Sequence, residues 1–192
     1  MSKLSKDFYL RDDVIQISKD LLGKYLFTKI DNKITAGIIT ETEAYAGVSD
    51  KASHAYNNRR TNRTEIMFAE GGVSYVYLCY GIHHLFNVIT NVKDTPHAVL
   101  IRAIKPIEGI DLILKRRNII QLHNKIANGP GTVSQALGIL TKHNGLNLTG
   151  NKIWIEDKGI KVMKKDIVLS PRVGVAYAEE DAKLLYRFNI NL

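Results

Sequence analysis

Ile38-Ile39-Thr40-Glu41-Thr42-Glu43-Ala44-Tyr45 places two carboxylates and a phenol at alternate positions of a run that is otherwise apolar or small. Read as a strand, its period of two turns all three polar side chains to one face. Burying such a face is costly unless each group finds a partner. Along the strand the carboxylates lie about 6.5–7 Å apart, a separation at which one carboxyl serves as acid while the other activates water in cleaving a glycosidic bond. The same pentad also reads as a solvated strand face, or as charge partners for nearby arginines.

Upstream, Lys24 to Ile30 reads as a strand, Asp31-Asn32-Lys33 as a turn and Ile34 to Tyr45 as the hairpin partner, so the carboxylate strand is expected inside an antiparallel sheet. Asp12 to Leu22 carries Val14, Ile17, Leu21 and Leu22 at helical spacing, with Gly23 where a C-cap glycine belongs. Downstream, residues 46–72 are polar and show no periodicity; His54, Tyr56, Arg59, Arg60 and Arg63 lie there, and a loop of that length is functional or disordered. Gly71-Gly72 restarts the sheet. Ser74 to Tyr80 and Leu85 to Thr90 flank Gly81-Ile82-His83-His84, a hairpin with a four-residue tip, and Ala98 to Ala103 follows as an apolar strand closing on Arg102.

Ile107 to Leu122 has the pattern of an amphipathic helix with Lys115, Arg116 and Arg117 on its wet side. After the break at Asn128-Gly129-Pro130-Gly131, Thr132 and Gln135 form a capping-box start for a helix over Val133 to Leu140, whose N-terminus offers backbone N–H groups to an anion. Ile153 to Ile155, Val162 to Leu169, Arg172 to Val175 and Arg187 to Ile190 read as short strands that complete the sheet.

A chain of 192 residues, 45% hydrophobic, suffices for one substantial core, and one domain spanning 1–192 is expected. The single cysteine, Cys79, excludes an internal disulfide and a cysteine metal cage; it suits a buried strand thiol in a reducing cytoplasm. The first residues lack a signal-length apolar run and no window approaches a membrane span, so a soluble, unexported, cytoplasmic protein is expected. With 27 basic and 19 acidic side chains the formal charge is +8, which favours a polyanionic partner.

Tyr45, Tyr75, Tyr77 and Tyr80 fall on or beside candidate strands, with His54 and Tyr56 in the loop between. Rings gathered near a carboxylate suit a flat substrate, and for a basic protein a nucleobase is the common flat substrate. Core packing is the competing reading for any single tyrosine. The tip Tyr80-Gly81-Ile82-His83-His84 is apolar and ring-bearing, which a side chain wedged into a base stack would explain. His83-His84 has no acidic or cysteine neighbours, so no metal site is expected there. Asn87 and Arg102 interrupt apolar strands: the asparagine lines a pocket or faces solvent, and the arginine balances a buried carboxylate or touches a phosphate.

The order Glu-Thr-Glu-Ala-Tyr, His54, Met67-Phe68, Tyr75-Val-Tyr77-x-x-Tyr80-Gly, Asn87, Leu100-Ile-Arg102-Ala, Glu108-Gly and Asn128-Gly-Pro-Gly with Gln135-Ala-Leu-Gly-Ile resembles the alkyladenine (3-methyladenine) DNA glycosylases, over Leu21 to Phe188. With the elements read above, the resemblance gives an α+β fold: a curved, mainly antiparallel sheet flanked by helices, with a protruding hairpin that enters the DNA minor groove. It implies a monofunctional enzyme that needs no cofactor, flips a damaged purine nucleotide out of double-stranded DNA, and cuts its N-glycosidic bond with water, without a lysine Schiff base. Position by position, Glu43 matches the general base, with Arg102 and the backbone of Val173 helping to position the water and target nucleotide. Tyr45, His54 and Tyr77 match the residues that hold the flipped base, Asn87 the residue that screens bases, and Tyr80 the side chain that fills the vacated stack. Glu41 is left a supporting role. The family commonly has a lysine where this chain has Thr132-Val133, and a tryptophan- and proline-containing approach to Arg187-Phe188 where it has residues 179–186. A monomer is expected. Two other readings stay open: a non-catalytic lesion-binding module, and a sugar hydrolase using Glu41 and Glu43 as an inverting pair.

Overall fold

The computed structural model describes residues 2–123 and 125–192. In chain order the strands are β1 (Ser2–Lys3), β2 (Tyr25–Ile30), β3 (Lys33–Tyr45), β4 (Ser74–Cys79), β5 (His83–Thr90), β6 (His97–Glu108), β7 (Ile153–Asp157), β8 (Val168–Ser170) and β9 (Arg187–Asn189). The α-helices are α1 (Lys6–Tyr9), α2 (Val14–Asp20), α3 (Ile110–Arg117) and α4 (Pro130–Leu137). Every pairing among these strands is antiparallel, in the order β1-β7-β2-β3-β6-β5-β4, with β9 joining β3 to β8. This is the expected α+β fold with a curled sheet.

β3 is the spine. Its first half pairs with β2 through the Asp31-Asn32 turn, where both residues take left-handed φ values of 51° and 57°. Beyond Ile38 that edge passes to β9, while β6 pairs along nearly the whole opposite edge. Three register shifts bend the β3–β6 ladder: one between Ala36 and Gly37, and one on each side of Glu41, where Thr40 and Arg102 have no register partners because Ile39, Glu41 and Thr42 face Ile104, Ala103 and Ile101. Bulges sharpen local twist and re-aim side chains.

Alternation sorts the two faces. Thr42, Ala44, Val76, Phe86, Val88, Val99 and Ile101 turn to the side where α2, α3 and α4 pack, forming the main core with Ile17, Leu21, Ile113, Val133 and Leu137. Asp13 caps α2 by accepting from the Gln16 N–H, and the Thr42 hydroxyl donates to the Ser18 carbonyl at 2.9 Å, fixing the helix to the carboxylate strand. The opposite face carries Tyr45, Tyr75, Tyr77, Ile89 and Ala98, covered by Ala55, Met67 and Phe68 of the 46–72 segment. That segment is a chain of 3-10 turns (Gly47–Ser49, Tyr56–Asn58, Glu65–Phe68). Among the described residues no helix is long and apolar enough to cross a membrane.

Several expectations of extent are corrected. β6 runs on past Arg102 to Glu108, because the bulge absorbs the arginine without ending the strand. The helix expected over residues 107–122 is confined to α3: Gly109 at φ 69° turns the chain out of β6, and Asn118 at φ 52° closes the helix. α4 begins earlier than its capping-box pattern implies, at Pro130 after the Gly129 cap. Thr132 lies inside its first turn and donates to the Gly129 carbonyl at 2.7 Å, while Gln135 is engaged by Arg116 and Arg117. The β4–β5 tip is also tighter than expected: Cys79 pairs with His83, leaving three residues, Tyr80, Gly81 and Ile82. Cys79, expected buried, is partly exposed at that strand end. Arg172 to Val175, expected as a strand, is a loop.

Gly109 is where strand becomes helix, and a Cβ there would lie 2.5 Å from the Ile34 carbonyl oxygen. A left-handed Cβ residue costs ~1–2 kcal/mol before any clash. Gly109→Ala should therefore lose at least ~2 kcal/mol, read as a lower urea midpoint at unchanged slope.

Candidate active site

A line of directly opposed residues crosses five strands: Tyr75 faces Asn87, Asn87 faces Leu100, Leu100 faces Glu43, and Glu43 faces Arg187. Register alone thus brings together residues from distant parts of the sequence on one face of the sheet. A cleft of about 610 Å³ opens over this face, between the sheet, the 46–72 segment, the start of α4 and the loop at residues 173–177. Tyr45, His54, Tyr77, Asn87, Arg102 and Val173 all line it, and Tyr80 stands at its rim.

Glu41, Glu43 and Tyr45 share a face, as the period of two predicts, but their environments differ. Glu43 is fully buried and sits behind Tyr45, Arg102 and Val173. Its Oε1 accepts from the Val173 N–H at 2.8 Å and lies 3.4 Å from Arg102 Nη1; Oε2 accepts from the Tyr45 hydroxyl at 2.9 Å. Burial raises its pKa above the usual carboxylate value, a rise opposed by Arg102, the Val173 N–H and the Tyr45 hydroxyl. Glu41 instead takes two arginines on one oxygen, Arg102 Nε at 3.0 Å and Arg187 Nη1 at 3.1 Å. Arg102 reaches both carboxylates from the bulge.

The rings form the opposite wall. His54 Nδ1 shares a hydrogen bond with the Tyr75 hydroxyl at 2.9 Å, and its ring meets Tyr77 edge-on at 4.8 Å between centroids. Burial, helped by the charges of Arg63 and Arg59, pushes the His54 pKa down to about 4, so the imidazole is neutral near pH 7. Burial also raises the Tyr45 and Tyr77 phenols well above their ordinary value, which keeps both protonated. Asn87, only 4% exposed, donates its amide to the Tyr75 carbonyl at 3.2 Å. Tyr80 is 89% exposed and held at φ 50°, an uncommon conformation for an aromatic residue.

Sequence reasoning gave no role in the site to four participants. Tyr75, two residues from Tyr77 on the same face, carries the signal of alternation and anchors His54. Arg63 places its guanidinium 4.9 Å from the Tyr77 ring centroid, and nothing in the run Arg59-Arg60-Thr61-Asn62-Arg63 distinguishes it from its neighbours. Asp50 and Arg172 form a buried ion pair through two contacts of 2.5 and 2.8 Å. The carboxylate also accepts the N–H groups of Ala46 and Ala52, and the guanidinium donates to the Ala44 carbonyl and lies over the Tyr45 ring. This pair clamps the end of β3, the following loop and the segment that delivers the Val173 N–H to Glu43. An isolated aspartate in a polar loop announces none of that.

Removing one partner of a buried ion pair strands the other, at a cost of ~3–5 kcal/mol. Asp50→Asn should destabilise the protein by roughly that amount in denaturant unfolding, far more than substitution of its partly exposed neighbour Lys51.

The chain matches the model of the methylpurine-DNA glycosylase family over residues 7–192. It is 48% identical over 193 residues to a protein of Chlamydia felis, covering 98% of this chain and 96% of the relative. A Clostridium novyi protein is 44% identical over 197 residues, covering 99% and 96%. Both carry the name "Putative 3-methyladenine DNA glycosylase". The chain belongs to the methylpurine-DNA glycosylase family, and with it to the DNA-repair glycosylases.

Proposed function

We propose that this protein hydrolyses the N-glycosidic bond of alkylated purine nucleotides of the 3-methyladenine type, flipped out of duplex DNA, and leaves an abasic site. The observation that carries the reading is the position of Glu43: a carboxylate made more basic by burial, held by Tyr45, Val173 and Arg102, which line a cleft walled by aromatic rings.

In this reading the flipped base enters between Tyr45, Tyr77 and His54. An alkylated purine is cationic, and a desolvated cation over an aromatic face gains ~2 kcal/mol or more that a neutral base lacks. Entry against Tyr45 breaks the Tyr45–Glu43 hydrogen bond and frees Oε2 for the attacking water. Glu43 takes the proton as the water oxygen bonds to the sugar carbon, and Arg102 and the Val173 N–H hold the carboxylate in place. The glycosidic electron pair leaves with the base and cancels its positive charge, so no strong general acid is required. The neutral His54 and the protonated phenols are consistent with holding a base rather than delivering a proton. Asn87 screens bases at the wall, and Tyr80, on the hairpin entering the minor groove, fills the vacated stack. The absence of lysine among the described residues lining the cleft favours a monofunctional enzyme. Glu41, held by Arg102 and Arg187, positions rather than reacts, which disfavours an inverting pair with Glu43. The enzyme acts as a monomer on DNA in the cytoplasm.

The experiment is base release from alkylated duplex DNA. Glu43→Gln should lower the rate at least ~100-fold, the usual worth of a general base, while lesion binding stays within a few-fold of wild type. Damaged DNA bound by the wild type without release of base would instead identify a non-catalytic lesion-binding module. Because burial raises the Glu43 pKa, activity should fall on acidification as that carboxylate takes up its proton, with a midpoint above the ~4.3 of a free glutamate. His54, at about 4, titrates below that limb.

Tyr80→Ala should weaken binding to lesion-containing duplex by roughly tenfold, within the range for loss of one stacking ring, and leave binding to single-stranded lesion DNA nearly unchanged. Undiminished duplex binding would remove Tyr80 from the stack.

A further inference from the structure

The loop that brings the Val173 N–H to Glu43 starts where β8 stops, because Pro171, after Ser170, has no N–H with which to extend the ladder to β9. Pro171, Val173 and Gly174 are exposed, and Gly174 takes a left-handed φ of 75° with open space around it. Among the described residues the backbone of 171–174 is held at two points. The Val173 N–H donates to Glu43 Oε1 at 2.8 Å, and the Pro171 carbonyl accepts from Arg187 Nε at 2.9 Å. Arg172 is fastened to Asp50 through its side chain, which leaves its own peptide groups unpaired. Arg187 lies opposite Glu43 in register, yet its Nη1 donates to Glu41 Oε1 at 3.1 Å, the oxygen that also accepts from Arg102 Nε. Glu41 therefore stands behind both cationic and backbone partners of Glu43 Oε1: it bonds Arg102 directly and reaches Val173 by way of Arg187 and Pro171.

We propose that Arg187 is a positioning residue for the reaction: anchored on Glu41, it holds the Pro171 carbonyl and so keeps the Val173 N–H aimed at Glu43. This role rests on Glu43 being the general base. Arg187 lies outside the lining of the cleft and acts through the loop, not on the substrate. A guanidinium suits the task, since Nε and Nη1 donate to two acceptors in fixed directions at once; a lysine keeps the charge but has a single nitrogen. Around Glu43 stand Arg102 from β6, Glu41 and the Tyr45 hydroxyl from β3, and the Val173 N–H from the loop. Loss of Arg187 leaves Arg102 on Glu41 and Tyr45 on its own strand, so the Val173 bond is the contact that loosens. That N–H favours the ionised carboxylate, so without it Glu43 takes up its proton at higher pH.

Arg187→Lys and Arg187→Ala are compared with wild type in single-turnover release of 3-methyladenine from duplex DNA, at saturating enzyme and across pH. Saturation removes any effect of Arg187 on DNA affinity from the rate. Glu41 keeps Arg102 in both variants, and the Arg187 side chain is 30% exposed, so both should fold. Both should release base about tenfold more slowly, the cost of a small misplacement of the reacting group, with lesion binding within a few-fold of wild type. The acid limb should move up by about half a pH unit, in keeping with a weakened hydrogen bond. By NMR, exchange of the Val173 amide should quicken about tenfold while the amides of β3 and β6 keep their protection. A rate restored by lysine, an unmoved acid limb, an unchanged Val173 exchange rate or protection lost across the whole sheet overturns the assignment and leaves the glycosylase reading intact. A wild type that releases no base from alkylated DNA sinks that reading and, whatever the Val173 amide does, the role of Arg187 in the reaction.

Discussion

A carboxylate with no solvent exposure dictates the design. Glu43 sits on a central strand where an ionised group is costly, and the protein meets that cost with donors from three separate segments: Val173, Tyr45 and Arg102. Tyr45 is local, two residues along the same strand, but Arg102 and Val173 must be brought in by tertiary structure. The bulge in β6 aims Arg102, the antiparallel register sets β6 beside β3, and the Asp50–Arg172 clamp brings the 172–175 loop over the strand end. Burial outweighs these donors in setting the pKa, and the residue stays more basic than an ordinary glutamate.

The two glutamates illustrate how equal spacing yields unequal chemistry. Both point to one face, two residues apart, yet Glu41 meets two guanidinium groups on one oxygen while Glu43 meets one at longer range plus two neutral donors. The asymmetry comes from β9: Arg187 pairs opposite Glu43 in register, but its guanidinium reaches across to Glu41 and leaves Glu43 to the loop.

Much of this was legible in the sequence. Alternation in β3, β4, β5 and β6 gave the strands and their faces, and the family pattern pointed to Glu43, Tyr45, His54, Tyr77, Tyr80, Asn87, Arg102 and Val173, most of which the structure gathers around one cleft. The extents failed where a single backbone conformation overrides periodicity. Gly109 ends a strand inside an apparently helical pattern, and the arginine that reads as a strand terminus is a bulge within it. The pairings Asp50–Arg172 and Arg63–Tyr77 were illegible for another reason: each joins residues whose individual signals are weak and whose proximity depends on loop conformation, which carries no period.

The clamp has a consequence for how the molecule comes into being. Val173 and Glu43 are 130 positions apart, and Arg172 and Asp50 are 122 apart. Contacts of that separation close large loops and slow folding. During synthesis the carboxylate strand leaves the ribosome long before its N–H donor, its clamp and the β9 edge exist. Until residues 172–189 return to β3, the chain has an unsatisfied glutamate, an open sheet edge and a wall missing from its cleft. Completion of the fold and completion of the site are therefore one event, and a truncated chain is expected to fail at both.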